Sequence, residues 1–185
     1  MKINNQIDTA TGGDSLYLDT RDIKKEEVKI RLFGDAVMGY SYFTKTVDDK
    51  IGIVRSEGFP TMVNPTDGYQ GAEQKPAKNF YVKAWNYATE SPVLLTLDKV
   101  TLINPIMAVI EDPDLADVTD YDFKISFDDK KEAADKYQVT RLDKSDLTPE
   151  QTKALKEFDC DLQSHAAGGD AFVSKANEGG DVEPF

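Results

Sequence analysis

The sequence predicts a mainly β fold: a small antiparallel barrel of five or six strands, with one intervening helix, a short C-terminal helix and a disordered acidic tail. Three observations predict it. Apolar and polar residues alternate repeatedly with the period of two that marks a half-buried strand. One long stretch between those segments, 99–110, has helical spacing. The negative charge collects at the C-terminal end. The regular strand–helix alternation of a parallel α/β fold does not occur.

Residues 1–15, with Thr9-Ala10-Thr11-Gly12-Gly13-Asp14-Ser15, read as a flexible arm. Val28, Ile30 and Leu32 then alternate with Lys29, Arg31 and Phe33 as a first strand. Gly34-Asp35 reads as a turn, Met38 to Thr44 as a second strand, and Ile51 to Val54 as a third after the turn at Asp48-Asp49-Lys50. Residues 55–78 contain Gly58, Pro60, Pro65, Gly68, Gly71 and Pro76, which makes them a long loop of the kind that is usually functional or mobile. Asn79 to Ala88 is the strongest strand candidate. Val93 to Leu97 is its hairpin partner across Thr89-Glu90-Ser91-Pro92.

Asp98 is placed to cap a helix from Lys99 to about Ile110, with Val100, Ile103, Met107 and Ile110 as its apolar stripe. Pro105 kinks it or marks its true start. Tyr121 to Phe127 and Tyr137 to Leu142 complete the strands. Thr148-Pro149-Glu150-Gln151 is a capping box with Pro at the first helical position. It opens a helix to about Leu162 that carries Ala154, Leu155, Phe158 and Leu162. Strands grouped around one helix suit an OB-like barrel. The expected organisation is an arm over 1–15, an OB-fold domain over 16–145, a C-terminal helix over 146–164 and a tail over 165–185, too poor in apolar residues to fold alone.

Cys160 is the only cysteine and His165 the only histidine, so neither an intrachain disulfide nor a four-ligand Cys/His zinc site can form. Any Cys–His or Ser–His scheme would need His165. That residue reads as part of the mobile tail, and such pairs need a rigid setting. Asp112, Asp114, Asp117, Asp120 and Asp122 lack the central glycine and closing glutamate of a calcium loop and read as a solvated acidic surface. No catalytic residue, metal or cofactor is expected, and the protein is read as non-enzymatic. No apolar run approaches the ~20 residues of a membrane span. Met1-Lys2-Ile3-Asn4-Asn5-Gln6 has no apolar stretch of the secretory kind behind its lysine. The expectation is a cytoplasmic protein without membrane contact.

The formal net charge is −12. Residues 1–110 carry 13 Lys and Arg against 14 Asp and Glu, while residues 111–185 carry 9 against 20. The first part is therefore near neutral and free to carry a basic face. On the 79–88 strand, Tyr81, Lys83, Trp85 and Tyr87 share one face, and Phe80, Val82, Ala84 and Asn86 share the other. Rings interleaved with a cation suit single-stranded nucleic acid, which needs flat surfaces for its bases and positive charge for its phosphates. Lys29, Arg31 and Phe33 repeat the mixture on the first strand, and Lys45 and Arg55 lie at the ends of neighbouring strands. The predicted binding surface is thus Lys29, Arg31, Phe33, Lys45, Arg55, Tyr81, Lys83, Trp85 and Tyr87. Core packing is the competing reading of Trp85 taken alone, because aromatics favour strands in any case. Tyr40 and Tyr42, on the face of Met38, read as core. The chain ends in Asp181-Val182-Glu183-Pro184-Phe185. An acidic peptide with a terminal ring can dock into a basic, apolar pocket on a partner, or compete for the protein's own cationic groove.

In their order, these parts resemble bacteriophage single-stranded-DNA-binding proteins with an OB fold. The resemblance runs from Tyr17 to Leu142. It rests on the strand Glu27-Val28-Lys29-Ile30-Arg31-Leu32-Phe33, on Lys83-Ala84-Trp85-Asn86-Tyr87, and on Val93-Leu94-Leu95-Thr96-Leu97 with the helix after it. It continues through Glu111-Asp112-Pro113-Asp114 to Thr119-Asp120-Tyr121-Asp122-Phe123-Lys124-Ile125 and ends on Tyr137-Gln138-Val139-Thr140. Asp181-Val182-Glu183-Pro184-Phe185 is similar to the acidic, phenylalanine-ended tip of bacterial and phage members.

The resemblance implies a protein that coats single-stranded DNA without strong sequence preference during phage replication, recombination and repair. It implies the cytoplasm of the infected bacterial host as the location, and a polymerase, helicase or primase recruited through the tip. A homodimer is compatible with it. Some relatives hold structural zinc in an insertion. Here 55–78 has no cysteine, so this loop is expected to be metal-free. A second reading, from the net charge, is an acidic DNA-mimic inhibitor or interaction protein acting on a host DNA-binding enzyme. A virion structural β-domain is a third reading, and an enzyme the last.

Overall fold

A computed structural model describes residues 16–115 and 117–172. The 1–15 arm and the Asp181–Phe185 tip lie outside the described residues. In chain order the elements are β1 (Tyr17–Leu18), α1 (Thr20–Ile23), β2 (Val28–Lys45), β3 (Ile51–Ser56), β4 (Ala77–Asn86), β5 (Ser91–Leu97), α2 (Val100–Glu111), β6 (Tyr121–Phe127), β7 (Tyr137–Lys144), α3 (Pro149–Glu157) and α4 (Leu162–Ala166). The strands form one sheet in the order β1-β5-β4-β2-β6-β7, with β3 attached to β2. All pairs are antiparallel except β1 with β5. The fold is mainly β, as the alternation predicts. The sheet is open, however: among the described residues its outer strands β1 and β7 do not pair with each other.

β2 organises the sheet. The sequence divides it at Gly34-Asp35, but the chain passes through without turning. Gly34 has φ +70°, the left-handed conformation that glycine adopts without a Cβ penalty. The β2–β4 register moves from Phe33↔Lys83 to Val37↔Tyr81 across a bulge, which bends a strand without ending it. β4 pairs with one edge of β2 from Ile30 to Ser41. The other edge takes β6 along Val28–Arg31 and then β3 along Tyr40–Lys45. The end of β2 and all of β3 therefore project as a two-stranded arm.

One sheet face presents Val28, Ile30, Leu32, Phe80, Val82, Ala84, Val93, Leu95, Leu97, Phe123 and Ile125 to Leu102, Ile103, Ile106 and Val109 of α2 in the main core. The buried helical stripe is thus shifted from the expected one, and Val100 and Ile110 are exposed. The shift follows from where the helix starts. Lys99, extended at φ −116° and ψ 128°, is the N-cap. Asp98 instead accepts the Thr20 hydroxyl and so ties α1 to β5. Pro105 lies inside the helix without ending it.

The opposite sheet face is covered by the C-terminal segment. The capping box forms as predicted: Gln151 N–H donates to Thr148 Oγ1 at 3.2 Å, and Thr148 N–H donates to Gln151 Oε1 at 2.9 Å. The helix stops at Glu157 rather than Leu162. Phe158 becomes extended (ψ 94°) and stacks its ring at 5.4 Å from Phe172. Tyr81, Leu94, Cys160, Ala166 and Ala171 then bury one another in a second core. Residues 165–172, expected in a disordered tail, belong to this packed layer, and Asp161 N–H donates to the Ala171 carbonyl at 2.9 Å. No helix among the described residues is long and apolar enough to cross a membrane.

Candidate nucleic-acid interface

The register places every predicted site residue on one face of the sheet. Arg31 lies opposite Trp85, Phe33 opposite Lys83, and Val37 opposite Tyr81. Tyr87 N–H donates to the Lys29 carbonyl, so those two residues are also neighbours. Lys45 and Arg55 continue the same face onto the arm, through the pairs Lys45↔Ile51 and Ser41↔Arg55.

Most of that face is closed. Arg31 and Tyr81 are each 1% exposed and Trp85 is 7% exposed, so none of them offers a base a free stacking surface. α3 packs over β4 and β5, while α4 packs over β2, β3 and β4. The rings drew the chain's own C-terminal segment, because a hydrophobic face of this size is stabilised by any apolar cover available. Tyr81 meets the His165 ring edge-on at 5.1 Å. The Trp85 indole N–H has no hydrogen-bond partner among the described residues.

The cations there are committed as well. Asp122, 4% exposed, accepts Arg31 Nε at 2.7 Å, Lys29 Nζ at 2.7 Å and the Tyr87 hydroxyl at 2.9 Å. The Arg31 fork also donates to the carbonyls of Ser145 and Thr119, at 2.9 and 3.2 Å. This arrangement uses the guanidinium's five donors, as a buried charge requires. Burial and the adjacent Asp122 carboxylate push the Tyr87 phenol up to about 12. Lys29 lies over the Tyr87 ring at 4.1 Å. Lys83 donates to the Phe158 carbonyl at 2.7 Å. Arg55 donates to the carbonyls of His165 and Gly169, both at 3.0 Å. Phe33 is half-buried.

His165 is likewise structural rather than mobile. It is buried between Tyr17 and Tyr81. Burial, with the Arg55 charge second, drives its imidazole down to about 4. Burial raises the Cys160 thiol to about 11, which removes its thiolate character. The aspartates at 112–122 serve local structure: Asp112 and Asp117 accept the N–H groups two residues on, and Asp122 sits among the cations.

The face opens only on the arm. Phe43, Ile51 and Ile53 are 53%, 69% and 55% exposed, and they lie together because Phe43 pairs with Ile53 and Lys45 with Ile51. Lys45 and Lys50 are exposed and form no ion pair among the described residues. Phe59 and Tyr69 add exposed rings from the 57–76 loop. That loop is pinned to the arm. Gln74 brackets Phe43, accepting its N–H at 2.6 Å and donating to its carbonyl at 2.8 Å. Thr66 N–H donates to the Phe43 carbonyl and Lys45 N–H to the Asn64 carbonyl. On the other side of the arm, Tyr42 is buried as expected, and Tyr40 meets Phe59 edge-on at 5.4 Å.

Of the predicted surface, Lys45 alone lies in this open patch, with Arg55 at its margin. Phe43, Ile51 and Ile53 were not singled out. The signal was available: Phe43 and Lys45 alternate with Tyr42 and Thr44, and Ile51 and Ile53 with Gly52 and Val54. No family model, no curated protein and no solved structure matches the chain.

Proposed function

We propose that the protein binds single-stranded DNA without strong sequence preference, on the open face of the arm formed by the end of β2 and by β3. The observation that carries this reading is the conjunction of Phe43, more than half exposed, with Lys45 beside it and free of any acidic partner. A flat ring accepts any base, and a neighbouring ammonium accepts a phosphate. Ile51 and Ile53 widen the apolar floor, and Lys50 and Arg55 mark its two ends. The site is open and shallow, which suits a strand whose bases can splay outward better than a duplex with its bases stacked inside. A bent β strand pairing with β3 and β4, with a hairpin tip and a long loop at one end, is also how an OB-like domain presents its binding face. The placement in phage replication, recombination and repair, and the recruitment of replication enzymes through Asp181–Phe185, extend this reading from the sequence resemblance.

The test is a titration of fluorescent oligo-dT and of a duplex of equal length. The expected result is preference for the single strand, with affinity falling steeply as salt rises through counterion release. Equal binding to both, or no binding at low salt, refutes the proposal.

A further inference from the structure

We propose that two copies of this chain pair through the outer edge of β3, giving one sheet that crosses both molecules. The ladder fixes which backbone groups are free. Phe43 spends its N–H and carbonyl on Gln74 and Thr66, on the side of β2 away from β3. In an antiparallel ladder, residues that exchange both bonds alternate with residues that exchange none. Phe43↔Ile53 is therefore a non-bonded pair, and so is Lys45↔Ile51 two residues on. The N–H and carbonyl groups of Ile51 and Ile53 consequently point outward from β3, and no partner for them occurs among the described residues.

An exposed edge that is apolar, unbulged and free of proline is a template for another strand. The segment Ile51-Gly52-Ile53 has none of the usual protections. At its far end Gly168 lies close against the Arg55 carbonyl, with an ideal Cβ only 3.2 Å away, which confines the free stretch to Ile51–Ile53.

The occupant that fits is a second copy. An antiparallel pairing centred on Gly52 sets Ile51 of one chain opposite Ile53 of the other, so each outward N–H meets an outward carbonyl. It also directs the acidic hairpin tip, Asp48-Asp49, toward Arg55 at the opposite end of the other strand. The stripe Phe43, Ile53, Ile51 then runs on into its symmetry mate on one face. A contact this short belongs to the weak class of interfaces, so association depends on concentration.

The experiment is sedimentation velocity on the full chain without nucleic acid, over a concentration series. Its outcome is therefore independent of the proposed binding activity. The expected result is a monomer–dimer equilibrium. Ile53→Pro deletes an outward N–H and no β2–β3 bond, and should weaken association at least tenfold with the circular dichroism spectrum kept. Should proline disturb the strand, the double variant Ile51→Lys/Ile53→Lys gives a second reading: it preserves the backbone but opposes like charges across the axis, and should also abolish the dimer. A wild-type protein that stays monomeric throughout, or a dimer indifferent to the variants, overturns the proposal.

Discussion

Phe43→Ala separates binding from folding. Full burial of a phenylalanine contributes about 1.5–3 kcal/mol. Phe43 leaves 53% of its surface in water, so the buried remainder is worth only about 1 kcal/mol of stability. The same ring, if it stacks a base, contributes about 1–3 kcal/mol to affinity, a rise in Kd of roughly fivefold to 150-fold on truncation. Trp85→Ala has the opposite signature. Trp85 is 7% exposed, so its removal leaves a cavity costing about 3–5 kcal/mol of stability, with no direct loss of a stacking surface. The assay is fluorescence anisotropy with labelled oligo-dT at low salt, alongside thermal melts of both variants. Phe43→Ala should bind weakly and melt near the wild type, and Trp85→Ala should melt early. Unchanged affinity in Phe43→Ala with normal folding would remove the arm as the binding surface.

Four further outcomes follow from the geometry. Asp122→Ala leaves Arg31 buried without its counter-charge and should cost about 3–5 kcal/mol in urea unfolding. Lys45→Glu should reduce oligo-dT affinity and flatten its salt dependence by about one phosphate contact in a salt titration, leaving the melting temperature nearly unchanged because Lys45 is exposed. Ending the chain after Ser164 removes His165, Ala166, Ala171 and Phe172, which cover Tyr81 and Leu94, and should lower the melting temperature sharply. His165 titrates near 4 when folded and near 6.5 when unfolded, so the unfolded chain binds more protons between those values. Its contribution is complete above about pH 6.5 and is lost as pH falls toward 4. A His165→Gln variant should show a weaker fall in stability over that window than the wild type in parallel denaturant titrations.

The strands were legible because each alternates on its own: Lys29/Arg31/Phe33 against Val28/Ile30/Leu32 fixes which side faces α2 without any tertiary knowledge. The shared face of Lys29, Arg31, Lys83, Trp85 and Tyr87 was legible for the same reason. What covers that face was not. Periodicity distinguishes two sides of a strand but does not say which of two apolar-bearing sides meets water, and Phe158 and Phe172 only become a lid once the helix breaks at Glu157. The glycines at 168 and 169 read as linker, yet Gly169 supplies a carbonyl to Arg55. A lone histidine between small residues gives no hint of two tyrosines some hundred positions earlier. Gly34-Asp35 was misread because a bulge and a turn use the same residue types, and only the partner strand separates them.

The bulge at residues 34–36 also sets a rule for length changes within β2. Four steps on this strand, from Phe33 to Val37, answer two on β4, from Lys83 to Tyr81, so the side-chain phase survives the detour. Deleting or inserting a single residue there would invert everything downstream, turning Phe43 and Lys45 toward the loop and Tyr42 out to solvent. A change of two residues would keep the phase and alter only the bend. Natural variants should therefore differ in length at this point by even numbers, and an odd change would have to be matched by another before Tyr40.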